Sequence, residues 1–433
     1  MGELAHGFGR RPTASLRSSY CLEPEVPARG TRLVSAHGVH MNDNVQLNLA
    51  KAQPDQHSVA APGRIGLVLS GGGVRAMAFH LGILSFLAEN GLLERVSRVS
   101  TVSGGSLLVG LMLHRTSMQW PTSAEFKSSV FDPLRSEMCS RSLTWAAIRQ
   151  LLRPWNWVHI LSRANLVAKA LHGWGIQYDL ANLPQQPEWS INGTTAENGR
   201  RFRFKRGSIG DYQLGYANGD TFPLAKAMAV SAAFPGGIGP LSIKTKGFVW
   251  MKRARWDSDD AATKTDIPFK RLHLYDGGVY DNLGLEPYFD TGKRESKIEG
   301  LAIYVSDAGA PLAVGKSAGP LSPWRVRRLA DIMSEQSRTL RVRAFVKYLD
   351  SSRNPLGAYT YINTKPQGGN EANWEMARSF PTSLSRLKLG QFDAIAAHGY
   401  AVAQDVERQY GFASRLTSNV AAVPAVNHVA ASA

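Results

Sequence analysis

The sequence predicts an α/β layered fold, and three observations predict it. Between about residues 61 and 413, short apolar runs bounded by glycines alternate with stretches of helical period, the pattern of strands and helices stacked in layers. At 433 residues and 43% hydrophobic, the chain has material for a substantial core. Its longest apolar uncharged run in the body, residues 99–114, falls short of the ~20 residues that span a bilayer and carries several Ser and Gly, so a membrane-spanning class is excluded.

Taken in order, residues 1–60 mix Gly, Pro, Ser, His and Asn without a period and bury too little to offset their ordering entropy; a disordered N-terminal tail is expected. The basic residues there are scattered and no apolar stretch follows them, so a secretory signal is not expected, and His6 stands where a myristoylation signal wants Ser or Thr. Residues 65–69 read as a buried strand, 76–89 as a helix, 96–102 as a strand and 107–114 as a helix. Further strands are expected at 189–193, 202–204, 272–275 and 301–306, with helices at 224–232 and 326–348. The last helix repeats apolar residues at Val326, Leu329, Ile332 or Met333 and Leu340, broken at Gln336. Residues 414–433, rich in Ala, Ser and Asn and interrupted by Pro424, are expected as a flexible C-terminal tail. Two cysteines, Cys21 and Cys139, are too few for a disulfide framework or a cysteine-rich zinc module, and Cys139 is expected as a small buried apolar residue.

The first strand runs into Ser70-Gly71-Gly72-Gly73-Val74-Arg75, which opens a helix. Unobstructed backbone N–H groups at the positive end of a helix dipole make an anion cradle. This loop alone does not choose between a phosphate and a transient oxyanion. It lacks the Lys-Ser/Thr of a P-loop and the third glycine of a dinucleotide fingerprint. The second strand ends in Ser100-Thr101-Val102-Ser103-Gly104-Gly105-Ser106 and leads directly into an apolar helix. A serine on a sharp strand-to-helix turn has an exposed Oγ, and small neighbours permit the strained backbone. Ser103, with Gly104 and Gly105 behind it, fits that position better than Ser100 or Ser106; a simple helix cap is the other use of such a serine. Asp276, at a strand end before Gly277-Gly278, is the best placed proton acceptor, although Asp-Gly-Gly is also a common turn. His80 and His273 are the histidines nearest these blocks, and both are read as structural; His273 lies three residues before Asp276 and so on the opposite face of the strand.

Four blocks in this order resemble the patatin-like phospholipase family: the Ser70–Arg75 loop, the Ser103 elbow, Ala229-Val230-Ser231-Ala232-Ala233-Phe234-Pro235, and Asp276-Gly277-Gly278 with Asn282 following. The resemblance covers about residues 61–410, including a stretch from Phe380-Pro381-Thr382 to Gly399-Tyr400 similar to a bacterial branch of the family. It implies a three-layer fold with a central, mostly parallel sheet flanked by helices, and a Ser-Asp dyad hydrolase. In that dyad Ser103 attacks an ester carbonyl, Asp276 is the base, Gly71, Gly72, Gly73 and Gly104 form the oxyanion hole, and Arg75 positions the loop. Two residues depart from the family pattern: Thr101 replaces the first Gly of the elbow, and Ala76 a Gly often found after the basic residue. The alternative is a catalytically silent lipid- or anion-binding module of the same fold.

Lys and Arg outnumber Asp and Glu by 50 to 34, a net charge of +16. The excess concentrates between Arg135 and Arg206, eleven against four, and between Pro323 and Lys347, seven against two. The first window carries Trp145, Trp155, Trp157 and Trp174 interleaved with Arg149 and Arg153, as at a membrane interface. Residues 118–176 are therefore expected as a lid or interfacial insertion contacting anionic membrane, with tryptophans in a core as the plainer reading. A nucleic-acid partner is not expected, because no recognised module is visible and the basic residues are split between windows. Neither a cofactor nor a catalytic metal is expected, since there is no zincin spacing and no cysteine cluster. The expected setting is cytoplasmic with peripheral membrane contact and a lipid substrate.

Overall fold

Twelve strands form one sheet in the computed structural model, which describes residues 58–59 and 63–421 apart from 161, 255–260, 313–314, 316–318, 320–321 and 352–354. They are β1 (Ile65–Leu69), β2 (Val96–Thr101), β3 (Glu188–Thr195), β4 (Arg201–Lys205), β5 (Ser208–Asp211), β6 (Gly215–Ala217), β7 (Leu241–Lys244), β8 (Trp250–Lys252), β9 (Thr263–Lys264), β10 (Arg271–Asp276), β11 (Ala302–Asp307) and β12 (Gly357–Tyr361). The centre is parallel in the order β12-β11-β1-β2-β3. Beyond β3 the sheet continues antiparallel through β4, β5, β6, β8 and β9, while β10 pairs with β3 and β7.

Helices cover both faces, and strand alternation decides what each face buries. Ile65, Leu67 and Leu69 of β1 point into a core shared with α1 (Gly73–Glu89), α2 (Gly104–Arg115), α5 (Arg163–Gly173), α6 (Leu224–Ser231) and α9 (Leu389–Tyr410). Val68 faces the other way, into a smaller core with Ile303 and Val305 of β11, Tyr288, Phe289 and the end of α7 (Pro323–Leu349) at Ala344 and Phe345. This is the expected three-layer arrangement. The first core depends on a close helix crossing: a Cβ at Gly82 of α1 would lie 1.9 Å from the Ala396 carbonyl oxygen, and one at Gly399 of α9 would lie 2.2 Å from that of Phe79.

One edge of β3 is shared by two strands that approach end to end. Residues 188–191 pair with parallel β2, closing at Thr101↔Ile191, and residues 193–195 pair with antiparallel β10, closing at Asp276↔Gly193. The C-terminal ends of β2 and β10 therefore face each other across Asn192. That branch is the topological event that creates the site.

Several expectations change. The C-terminal tail begins later than residue 414, because α10 (Phe412–Ala421) docks through Phe412 and Leu416, both buried. Within the expected N-terminal tail, Ser58–Val59 pairs in parallel with Ile298–Glu299; the rest of residues 1–60 lies outside the described residues. Cys139 is only half-buried, and Cys21 lies outside the described residues. Residues 118–176 are not one exposed insertion: Phe126, Val130, Leu134, Leu143 and Leu171 are core, and Trp174 lies under the Arg141 guanidinium at 4.6 Å. The exposed large apolar side chains of this stretch fall within residues 145–160. Nor is all the window's charge outward, since Arg203 stacks on Tyr216 at 4.0 Å and Lys205 pairs with Glu188 at 2.7 Å, both buried cations. Replacing Gly399 with Val should destabilise the fold by about 1–3 kcal/mol or more through overpacking of the α1–α9 crossing; denaturant unfolding measures it.

Candidate active site

Ser103 stands between β2 and α2 with φ 49° and ψ −115°, a left-handed conformation that costs a non-glycine residue about 1–3 kcal/mol. The surroundings enforce it. Its N–H donates to the Ser231 carbonyl at 3.1 Å and to Ser231 Oγ at 3.0 Å. The next two residues must be glycine, because a Cβ at Gly104 would lie 2.4 Å from the Gly73 carbonyl oxygen and one at Gly105 2.5 Å from that of Leu69. Thr101, the departure from the family elbow, is accommodated by chemistry: its Oγ1 accepts from Trp189 Nε1 at 2.8 Å and bonds Ser106 Oγ at 2.7 Å, all buried.

Asp276 closes β10 and is buried. Its backbone N–H donates to the Ala233 carbonyl at 3.0 Å, Gly278 N–H donates to its Oδ1 at 2.7 Å, and the Ser103 side chain lies close enough to favour the charged form. Burial outweighs these two stabilising influences and pushes the carboxyl up to about 7. The structure thus brings together Ser103 and Asp276, which are 173 positions apart in sequence.

The glycine loop leads from β1 into α1. Val74 N–H donates to the Ser383 carbonyl at 2.9 Å, and a Cβ on Gly73 (φ 63°) would fall 2.2 Å from that oxygen. Arg75 is buried beneath the loop, donating from Nη1 to the Phe380 carbonyl at 2.6 Å and from Nη2 to the Ala308 carbonyl at 3.0 Å. Desolvation draws its guanidinium down to about 10, partly offset by Asp307, so it stays charged at neutral pH. Gly71 was expected among the donors, but its N–H is occupied by the Asn282 carbonyl at 3.1 Å; its missing side chain instead leaves room for Ser103 and Asn282. The N–H groups of Gly72, Gly73 and Gly104 have no partner among the described residues, and the Gly104 Cα packs on the Gly73 peptide. An oxygen carrying negative charge would meet unpaired donors there.

Neither nearby histidine addresses Ser103. His80 is fully buried, with Nε2 donating to the Ser70 carbonyl at 3.0 Å and Nδ1 accepting from Ser306 Oγ at 2.7 Å. Burial holds its pKa down at about 4, so it braces the loop as a neutral ring. His273 is on the outer face of β10 against Glu197, 2.7 Å away.

Two further residues of the site are given no individual role by the sequence. Ser231 Oγ accepts from Ser103 N–H, donates to the Asn192 carbonyl at 2.7 Å and bonds Ser106 Oγ at 2.8 Å. Asn192, in the gap between β2 and β10, donates from Nδ2 to the Thr101 carbonyl and to Ser100 Oγ, each at 2.9 Å. The Ala229–Pro235 block pointed to Ser231 as part of a pattern, whereas Asn192 lies in a strand whose sequence marks nothing.

The arrangement was compared with known proteins. The patatin-like phospholipase family model matches residues 67–288, slightly more than half of the chain. A search of curated proteins finds no match. Among solved structures the chain is similar to human GIVD cytosolic phospholipase A2, at 14% identity and a TM-score of 0.46, covering 88% of this chain and 64% of that one. It is also similar to VipD from Legionella pneumophila, at 14% identity and a TM-score of 0.33, covering 81% of this chain and 68% of that one. The chain thus spans somewhat less than two thirds of the human protein's structure. Those likenesses are weak, and the assignment rests on the family match together with the four blocks it contains. The chain belongs to the patatin-like phospholipase family.

Proposed function

We propose that the protein is a lipid acyl hydrolase that cleaves a carboxylic ester by a Ser103 acyl-enzyme, with Asp276 as base and a hole formed by the Gly72, Gly73 and Gly104 N–H groups. The observation that carries this reading is the buried Asp276 carboxyl brought beside the strained Ser103 turn and the unpaired backbone donors of Gly72, Gly73 and Gly104. Family membership supports the substrate class. As Ser103 Oγ bonds to the ester carbonyl carbon, its proton passes to Asp276, and the carbonyl oxygen becomes an oxyanion facing the free N–H groups. Collapse breaks the ester C–O bond; the leaving alkoxide takes the proton from Asp276 and departs as the alcohol. Water then attacks the acyl-enzyme and gives a proton to Asp276, and the acid leaves as that proton returns to Ser103 Oγ. A carboxyl near 7 can both accept and return a proton at neutral pH.

Fatty-acid release from phospholipid dispersed in detergent micelles should fall roughly a thousandfold or more in Ser103→Ala and in Asp276→Asn, with circular dichroism unchanged. Equal activity in all three proteins would overturn the dyad, and a folded wild type that releases nothing would favour the silent binding module. Because the base must be ionised, kcat/KM should rise with pH through about 7 and level off above it. The stability sign is opposite to that of a salt-bridged carboxylate. Above about pH 7 the folded state carries the cost of a buried charge, and that cost is relieved as pH falls towards the unfolded value of roughly 4. Asp276→Asn should therefore raise the thermal midpoint at alkaline pH more than at pH near 4. Ser231→Ala should cost about 1–3 kcal/mol of stability, since it strips partners from buried groups, and should lower kcat with little change in KM, because the hydroxyl holds Ser103 without touching substrate.

A further inference from the structure

The segment between α4 (Leu143–Arg149) and α5 displays apolar side chains that the fold leaves uncovered. Trp145, Ile148, Leu152, Trp155, Trp157, Val158 and Ile160 are all exposed, Leu152 by 82% and Trp155 by 69%. The display is built and not slack: Asn156, itself buried, donates from Nδ2 to the Gln150 carbonyl at 2.8 Å, and Trp157 Nε1 donates to the Leu151 carbonyl at 2.8 Å while its ring stays outside. A contiguous apolar display of this kind on a monomer marks an interaction surface.

Its charge chooses the occupant. No Asp or Glu occurs between Glu137 and Asp179, whereas Arg149, Arg153, Arg163 and Lys169 do; burial first, and then the charges of Lys169 and of Lys226 on α6, lower the pKa of His159. Arg149 and Arg153 are exposed among the apolar tips. Trp and Arg also occur at protein interfaces, but a stretch that carries cations among indoles and aliphatic tips and no carboxylate at all is complementary to a surface of uniform negative charge, such as the headgroup layer of an anionic bilayer.

The segment is also tied at both ends to the loops that hold the site. At its start, Thr144 N–H donates to the Leu384 carbonyl at 3.1 Å, beside the Ser383 carbonyl that holds Val74. At its end, Ser162 Oγ donates to the Pro240 carbonyl at 2.8 Å, Arg163 Nη1 to that of Gly237 at 3.2 Å, and Ala164 N–H to that of Ile238 at 2.9 Å. Residues 237–240 follow Ala233, which holds Asp276, and the exposed Phe234.

We infer that residues 145–160 are a docking face for an anionic lipid bilayer, seated next to the loops that hold Ser103's partners. Docking is separable from hydrolysis, and only its purpose, delivering the ester to Ser103, rests on the function proposed above. The test is flotation of the full-length chain with phosphatidylcholine vesicles, with and without phosphatidylglycerol. The wild type and Ser103→Ala should float with the anionic vesicles and less with the neutral ones. Arg149→Gln with Arg153→Gln should weaken anionic binding by about fivefold per residue, since a cation near an anionic leaflet contributes about 1 kcal/mol, and should reduce its salt dependence. Trp155→Ala with Trp157→Ala should weaken binding to both. Equal flotation with both vesicle types, or variants that float like the wild type while keeping its circular dichroism, would overturn the proposal. So would a dimer in sedimentation that the Trp variant dissociates without altering flotation. A protein that floats but releases no fatty acid from micelles overturns the hydrolase reading alone, and one that hydrolyses micellar lipid but does not float overturns docking alone.

Discussion

Two backbone N–H groups, those of Ser103 and Asp276, are held by carbonyls of one short segment, Ser231 and Ala233. β2 and β10 end against each other on one edge of β3, and neither strand can satisfy its last donors from the other. The end of α6 closes that gap and fixes the separation of Ser103 and Asp276. The left-handed backbone of Ser103, the glycines behind it and the close approach of Gly277 to the Asn192 carbonyl all follow from packing this junction tightly. Strain at Ser103 is thereby maintained by contacts that reach it from three elements.

Burial makes Asp276 useful and also costly. A carboxyl taken out of water with little hydrogen bonding in return keeps its proton to near neutrality, which suits the proton transfers proposed for it. The same burial leaves His80 neutral and committed to Ser70 and Ser306, so the loop is braced without a competing charge. Arg75 is a cation under the loop, and its two carbonyl partners come from β11's end and from the segment before α9.

Most of the fold's first half was legible because its chemistry restricts residue type. Gly73, Gly104 and Gly105 stand where a Cβ would collide with backbone and Gly71 where it would meet the Asn282 and Ser103 side chains, while strand 65–69 is an apolar run followed by glycines. What stayed hidden was partner identity. Nothing in the sequence distinguishes the N–H of Gly71, which donates to Asn282, from the free ones of Gly72 and Gly73. Ser231 in an apolar helix and Asn192 within a strand look like ordinary polar residues until the chain closes around them. Charge counting misled in part for the same reason: Arg203 and Lys205 are buried, and Arg338 pairs with Asp307 and Glu335 instead of facing outward. The helix Leu389–Tyr410 has an apolar period at Phe392, Ile395, Ala396, Gly399 and Val402, but small residues dilute it because they are there to let α1 approach.

The contact of Gly73 and Val74 with Ser383, and of Arg75 with Phe380, has a consequence for the order in which the protein becomes what it is. Ser103, Asp276 and the glycine loop all lie before position 283, yet that loop is held by backbone about a hundred residues later. During synthesis the emerging chain carries Ser103 and Asp276 long before it carries the strap that holds the glycine loop. A nascent or C-terminally clipped molecule would hold the elbow and the carboxyl but an unbraced glycine loop. Alignment of the glycine loop is in this way deferred until residues 380–383 have been made and have folded back onto it.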